Sequence, residues 1–88
     1  MWTLYILKCR DGSLYTGITT DVDHRVKTHN AGRGGAYTRS RKPVRLLFRE
    51  ADANRSSALK REAQLKSWSR FEKIEFCRGR VVSGIVKG

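Results

Sequence analysis

The run Trp2-Thr3-Leu4-Tyr5-Ile6-Leu7-Lys8-Cys9, the turn Arg10-Asp11-Gly12 and the run Ser13-Leu14-Tyr15-Thr16-Gly17-Ile18-Thr19 decide how this chain begins to fold. Trp2, Leu4 and Ile6 alternate with Thr3, Tyr5, Leu7 and Cys9, which is the period of a strand. Residues 14–19 are again rich in β-branched and aromatic types, so a hairpin is the simplest construction. Its register follows from the length of the turn. A two-residue turn at Asp11-Gly12 would place Tyr5 and Tyr15 on opposite faces. A three-residue loop with Gly12 in the left-handed position of a bulge instead sets Tyr5 opposite Gly17 and Tyr15 opposite Leu7. The tyrosines then share a face as diagonal neighbours, roughly 7–8 Å apart. Gly17 leaves the phenol of Tyr5 unobstructed, which suits a ligand approaching the sheet.

Outward from the hairpin, Thr20-Asp21-Val22-Asp23 supplies a helix start, with Thr20 the expected N-cap. Val22 and Val26 carry that helix to about Asn30, where Gly32, Gly34 and Gly35 end it. A glycine-rich basic loop spans Gly32 to Pro43. Val44 to Phe48 reads as a third strand, and a second helix runs from about Arg55 to Trp68 behind Asp52 and Asn54 as caps. Ser69-Arg70-Phe71-Glu72 has capping-box spacing, so a third helix restarts there and reaches about Cys77. The order β-β-α-β-α-α gives an α+β domain, a three-stranded antiparallel sheet flanked by three helices, over residues 1–77. Residues 78–88 read as a loosely ordered tail.

The 88 residues include 19 Lys or Arg against 8 Asp or Glu, a formal charge of +11. With 39% hydrophobic residues and eight aromatics the chain is not a basic disordered tail. It should fold as one domain and attract polyanions. Apolar runs such as Leu4 to Leu7 are far shorter than the roughly 20 residues a membrane span needs, and no secretory signal pattern opens the chain. A cytoplasmic location is the default expectation. Cys9 and Cys77 form no CxxC pair and have no metal-ligand spacing to His24 or His29, so they read as buried thiols.

A protein this basic has few acids, and most have a local reason. Asp11 belongs to a turn, Asp21 and Asp23 to a helix start, Glu50 and Asp52 to the approach to another, and Glu72 to a capping box. Glu75 lies late in a short helix where solvent accounts for it. Glu62 is left, mid-helix between Leu59 and Leu65, on or beside the apolar stripe. It needs a partner. Lys66, four residues on, offers an ion pair worth about 0.2–0.5 kcal/mol; a divalent cation is the sharper alternative. Spacing alone favours the ion pair.

Arg25 and His29 stack one turn apart at the edge of the stripe made by Val22 and Val26. An arginine there can hold a phosphate bidentately, and a neutral imidazole can accept a proton or orient a water. A solvated basic helix would show the same residues. In the loop, Arg33, Arg39, Arg41 and Lys42 offer charge, Thr38 and Ser40 hydroxyls, and Tyr37 a ring, groups suited to phosphate contact or to stacking on an unpaired base. Nucleic acid is the partner these groups suggest in aggregate.

Leu4-Tyr5-Ile6 followed by Tyr15-Thr16-Gly17 resembles the paired signature of the GIY-YIG nuclease family, with Arg25, His29 and Glu62 where the family's helix Arg, following His or Tyr, and metal-binding Glu fall. The resemblance covers roughly residues 2–77 and looks closest to small stand-alone bacterial members. Two departures stand out. Only the Tyr and Gly positions of the signatures are kept, and Glu72, Lys73 and Ile74 occupy the region where many relatives carry an Asn; the only asparagines are Asn30 and Asn54.

The resemblance implies phosphodiester hydrolysis with one Mg²⁺ or Mn²⁺, leaving a 5′-phosphate and a 3′-hydroxyl. It implies that Glu62 binds the ion, that Arg25 stabilises the phosphorane, and that Tyr5, assisted by Tyr15 or His29, activates water. DNA is expected ahead of RNA, with a monomeric protein and no membrane, while a protein partner for targeting is left open. The competing reading is a non-catalytic nucleic-acid module of the same fold, and a protein adaptor is a distant third.

Overall fold

A computed structural model describes residues 1–78 of the chain. The tail expected over 78–88 therefore lies, from residue 79 on, outside the described residues. Strands β1 (Trp2–Cys9) and β2 (Leu14–Thr19) form the hairpin, and the three-residue loop sets its register, Tyr5 opposite Gly17 and Leu7 opposite Tyr15. Gly12 has φ +87°, the left-handed backbone that a glycine adopts without steric cost. Asp11 secures the turn by accepting from the backbone N–H and hydroxyl of Ser13 at 2.9 and 2.6 Å.

Helix α1 (Val22–Asn30) follows, then a one-turn helix α2 (Ala36–Arg39), strand β3 (Val44–Asp52), and helices α3 (Arg55–Lys66) and α4 (Arg70–Arg78). The sheet order is β2-β1-β3, antiparallel throughout. Central β1 is buried on both faces. Leu4 and Ile6 pack with Phe48, Leu65 and Cys77, while Tyr5, Leu7 and Cys9 pack with Val22 and Val44. A bulge in β3 places Ile6 opposite Phe48 but Leu7 opposite Leu46, so Leu47 is the extra residue.

Several boundaries differ from the sequence reading, each for a local reason. The N-cap of α1 is Asp21 and not Thr20, because the Asp21 carboxylate accepts from His24 N–H at 3.1 Å. Strand β3 continues past Phe48 to Asp52, since its polar end pairs with Trp2–Tyr5 of β1, a ladder that apolar patterning does not reveal. Glu50 there accepts two hydrogen bonds from Arg61, at 3.0 and 3.3 Å, which ties β3 to α3. Helix α3 ends at Lys66 with Ser67 as C-cap, so Trp68 lies in the connection to α4. Ser69 and Glu72 form the expected reciprocal cap, with bonds of 2.8 and 3.1 Å.

The glycine-rich loop is more ordered than its composition suggests. It contains α2, and the Asn30 side chain fixes its far end by donating to the Val44 carbonyl and accepting from the Val44 N–H, at 3.0 and 2.6 Å. These bonds hold the segment between Asn30 and Val44 against the α1 side of the sheet.

Candidate active site

On that side of the sheet the hairpin presents Tyr5. Its ring lies directly over Gly17, where a Cβ atom would stand 2.7 Å from the phenol oxygen. The glycine makes room for the phenol itself; the Tyr5 side chain is buried and does not stand open to a ligand. Tyr15 is its diagonal neighbour, with ring centroids 6.3 Å apart.

Helix α1 brings His29 against this pair. The imidazole is fully buried, its Nε2 3.3 Å from the Tyr5 oxygen and its ring edge-on to Tyr15 at 5.1 Å. On its other side, His29 Nδ1 lies 2.7 Å from the Thr38 hydroxyl, which α2 delivers. Gly34 lies against the same imidazole so closely that any Cβ there would collide with it. Arg25, one turn before His29, lies near enough to the Tyr5 phenol for its positive charge to favour the phenolate.

The electrostatics follow from this packing. Burial raises the Tyr5 pKa above its ordinary 10.0; the Arg25 contact opposes that rise, and the charges of Tyr15 and Glu62 add to it. Burial, then the charge of Arg25, lowers the pKa of His29 below its ordinary 6.5, so the buried imidazole is neutral at neutral pH. A depressed histidine pKa means that the unfolded chain takes up the proton first. Its contribution to stability is therefore complete above about pH 6.5 and is lost as pH falls through the folded pKa. Urea unfolding at pH 7.5 and pH 5 should show a stability drop at pH 5 that His29→Gln diminishes and that replacement of exposed His24 leaves in place.

Glu62 projects from α3 with only 17% of its side chain exposed, and Lys66 Nζ lies 3.1 Å from it. The local ion pair is thus formed. Its charge nonetheless reaches the Tyr5 phenol, which places the carboxylate within electrostatic range of the tyrosine–histidine cluster. No group of three or more His, Cys, Asp or Glu gathers into a metal cage among the described residues. A single carboxylate suits Mg²⁺ or Mn²⁺ that arrives with several waters and a substrate phosphate, and does not suit a preformed all-protein site.

The loop residues divide into two groups. Arg33, Tyr37, Arg39 and Lys42 are exposed. Arg41 is committed locally, bonding Asp11 at 3.2 Å and the Tyr37 carbonyl at 2.9 Å, with its guanidinium 4.1 Å from the centre of the Tyr37 ring. Tyr37 in turn sits 6.0 Å from Tyr15, so the rings step from buried Tyr5 to the surface. Thr38 corrects the sequence reading: its hydroxyl is fully buried on His29 and is withdrawn from any phosphate. Ser40 is exposed. Neither asparagine replaces the relatives' Asn, since Asn30 binds Val44 and Asn54 caps α3 through Ser57. Half-buried Lys73 lies in that stretch of α4, its pKa lowered by burial and by the charge of Lys66.

Sequence reasoning assigned no site role to Gly34 and gave Thr38 the wrong one. No local signal distinguishes Gly34 from Gly32 and Gly35, or Thr38 from any loop hydroxyl. Both gain significance only where the loop folds back on His29.

Residues 1–75 match the GIY-YIG catalytic domain. The chain belongs to the GIY-YIG family. Among similar proteins, a UPF0213 protein of Cupriavidus pinatubonensis is 54% identical over 76 residues, covering 86% of this chain and 84% of that protein. A UPF0213 protein of Staphylococcus haemolyticus is 47% identical over 77 residues, covering 88% and 94%. The solution NMR structure of a UPF0213 protein from Bacillus halodurans superimposes with a TM-score of 0.60 at 42% identity, over 94% of this chain and 89% of that one. These relatives are GIY-YIG-sized throughout, in line with the small stand-alone branch. The GIY-YIG domain is a nuclease domain, which makes nucleic acid its substrate class. Among the described residues no helix is long and apolar enough to cross a membrane.

Proposed function

We propose that this GIY-YIG domain hydrolyses phosphodiester bonds in DNA, as an endonuclease assisted by one Mg²⁺ or Mn²⁺. The observation that supports this most is the convergence of Arg25 and His29 on the buried Tyr5 phenol, within electrostatic range of Glu62. Those residues supply a base, a cation for transition-state charge and a carboxylate for a metal.

In this mechanism Tyr5 first loses its own proton to solvent and then, as the phenolate, takes a proton from the attacking water. The new bond forms between the water oxygen and phosphorus while the bond to the 3′ oxygen breaks and that oxygen takes a proton from solvent, leaving a 5′-phosphate and a 3′-hydroxyl. Arg25 has two uses: it opposes the burial that keeps Tyr5 protonated, and it balances charge that develops on the phosphorane. Glu62 would hold the divalent ion, releasing Lys66 to do so. When bound, that ion supplies Lewis-acid stabilisation of the phosphate and leaving oxygen. A lone carboxylate favours a one-ion over a two-ion arrangement. Tyr15 packs the Tyr5–His29 pair from the open side, and Arg33, Arg39 and Lys42 supply positive charge for the polyanion.

The Glu62–Lys66 pair is the one observation that favours a non-catalytic nucleic-acid module, because an amine already satisfies the carboxylate. Single-stranded, duplex and branched DNA, with matching RNA, separate the two readings when incubated with Mn²⁺, Mg²⁺ or EDTA. The hydrolase reading expects cleavage of at least one DNA, absent in EDTA. Binding that weakens with salt, shows no metal requirement and yields no product would instead establish the module.

A further inference from the structure

The far end of the β1–β3 ladder carries positive charge that nothing else in the fold answers. Lys8 of β1 stands directly opposite Arg45 of β3, and Arg10 follows where β1 ends. Like charges set directly opposite each other destabilise a ladder. None of the three side chains has an ion pair, hydrogen bond or ring contact among the described residues. Other cations near this end are partnered: Arg41 pairs with Asp11, and Arg70 donates to the Gly12 carbonyl. Asp11, beside Arg10 in the chain, is already taken by Ser13 and Arg41, and residues 79–88 contain no Asp or Glu.

Protection of a sheet edge does not account for the arrangement. A charge on an edge strand discourages pairing with other chains, which would explain Arg45, since β3 is an edge of the sheet. Lys8 lies on the central strand, where there is no edge to protect. Instead Lys8, Arg10 and Arg45 line a cleft of about 300 Å³, together with Cys9, Pro43 and Val44. Arg10 and Arg45 are exposed and Lys8 half-buried, so the cations are within reach of a ligand from solvent. No aromatic ring lines the cleft, which leaves a nucleobase nothing to stack on. Arginine can grip phosphate oxygens bidentately, and lysine binds them as a point charge.

The cleft is separate from the candidate active site. Along β1, Leu4 and Ile6 pack towards α3 and α4, whereas Tyr5 and Leu7 pack towards α1. Alternation therefore sets Lys8 on the face opposite Tyr5, three residues and about 10 Å further along the strand. A phosphate held there is not the one being cut.

We propose that Lys8, Arg10 and Arg45 form a second phosphate-binding site, which grips the sugar-phosphate backbone of DNA away from the scissile bond. A phosphate between the opposed cations relieves their repulsion, and such contacts carry no sequence information. The choice of DNA as the polyanion rests on the function proposed above, while the site itself does not require cleavage.

The test measures binding by the full chain in EDTA, with a labelled duplex of about 20 base pairs and its single strand as probes. Lys8→Thr/Arg45→Thr keeps strand propensity and removes two charges. It should weaken binding about 10–50-fold at about 100 mM salt and flatten the slope of log affinity against log salt by about 1.4–1.8, as expected for two lost phosphate contacts. Arg55→Ala/Lys60→Ala removes the same charge from exposed positions on α3 and should cost less than about 3-fold. Arg45→Thr alone, at an exposed position, should cost about 5–8-fold and keeps the test decisive if the double variant does not fold. Unchanged affinity in the cleft variants, or an equal loss in the α3 variant, overturns the site. A wild-type chain that binds neither DNA overturns it together with the DNA reading. A loss specific to the cleft, in a protein that cleaves nothing, upholds the site and counts against the hydrolase reading alone.

Discussion

Glu62→Gln is expected to reduce metal-dependent cleavage by about 10³-fold, roughly 4 kcal/mol of transition-state stabilisation, while leaving the unfolding midpoint almost where it was. The asymmetry is what makes the result informative. Glu62 contributes to folding chiefly through its pair with Lys66, whose side chain is 53% exposed, and an i,i+4 pair of that kind is worth about 0.2–0.5 kcal/mol before screening. Glutamine keeps the shape and the helix propensity but removes the charge that a divalent ion requires. Parallel urea melts and single-turnover cleavage in Mn²⁺ measure the two effects. Wild-type cleavage by a folded Glu62→Gln protein would remove Glu62 from the mechanism, and a large stability loss would mean that the ion pair matters more than its exposure implies.

The second large effect is expected at Gly34→Ala, and there stability and activity should fall together. Alanine costs little in backbone terms at an ordinary φ, so the damage comes from the new Cβ, which would overlap Nδ1 and the neighbouring ring carbons of His29. Overpacking of this kind costs about 1–3 kcal/mol. For a domain of this size that corresponds to a loss of about 4–8 °C in unfolding temperature per kcal/mol. Either the imidazole rotates away from Tyr5 or the loop withdraws and carries Thr38 with it. Both break the Thr38–His29–Tyr5 chain, so cleavage should drop about 10²-fold even at temperatures where the variant is folded. Thermal melts and cleavage rates check this, with Arg33→Ala as an exposed neighbour that should leave the melting temperature near the wild-type value. A Gly34→Ala protein with wild-type stability would show that the loop yields without cost.

Much of the fold was legible because its determinants are local. The three-residue loop at Arg10-Asp11-Gly12 fixes the hairpin register, and with it the shared face of Tyr5 and Tyr15. The Ser69–Glu72 cap and the end of α1 near Asn30 were equally available from residue type and spacing. The boundaries that shifted did so where long-range contact overrides propensity, as when the polar half of β3 is held by pairing to β1.

The candidate site was legible in a different way. Elimination among eight acids singles out Glu62, and the structure modifies the argument: Glu62 also has a local partner, yet at 17% exposure its side chain is more buried than those of ion-paired Asp11, Glu50 and Glu75. Helical spacing put Arg25 and His29 on one face, but it could not tell that His29 would be buried and Arg25 left at the rim.

By itself the sequence determined a basic α+β domain with a register-locked hairpin, a basic helix and one acid in an unusual position. Turn length, strand period and capping act over a few residues, so they are written where they act. Only the tertiary structure decided that the loop between α1 and β3 closes on His29, that Gly34 is the glycine of that loop whose side chain would collide with the imidazole, and that the Thr38 hydroxyl serves the imidazole instead of a phosphate. Those outcomes depend on which surfaces meet across the fold, and the free energy of burying a hydroxyl against a particular nitrogen exists only once the two have been brought together.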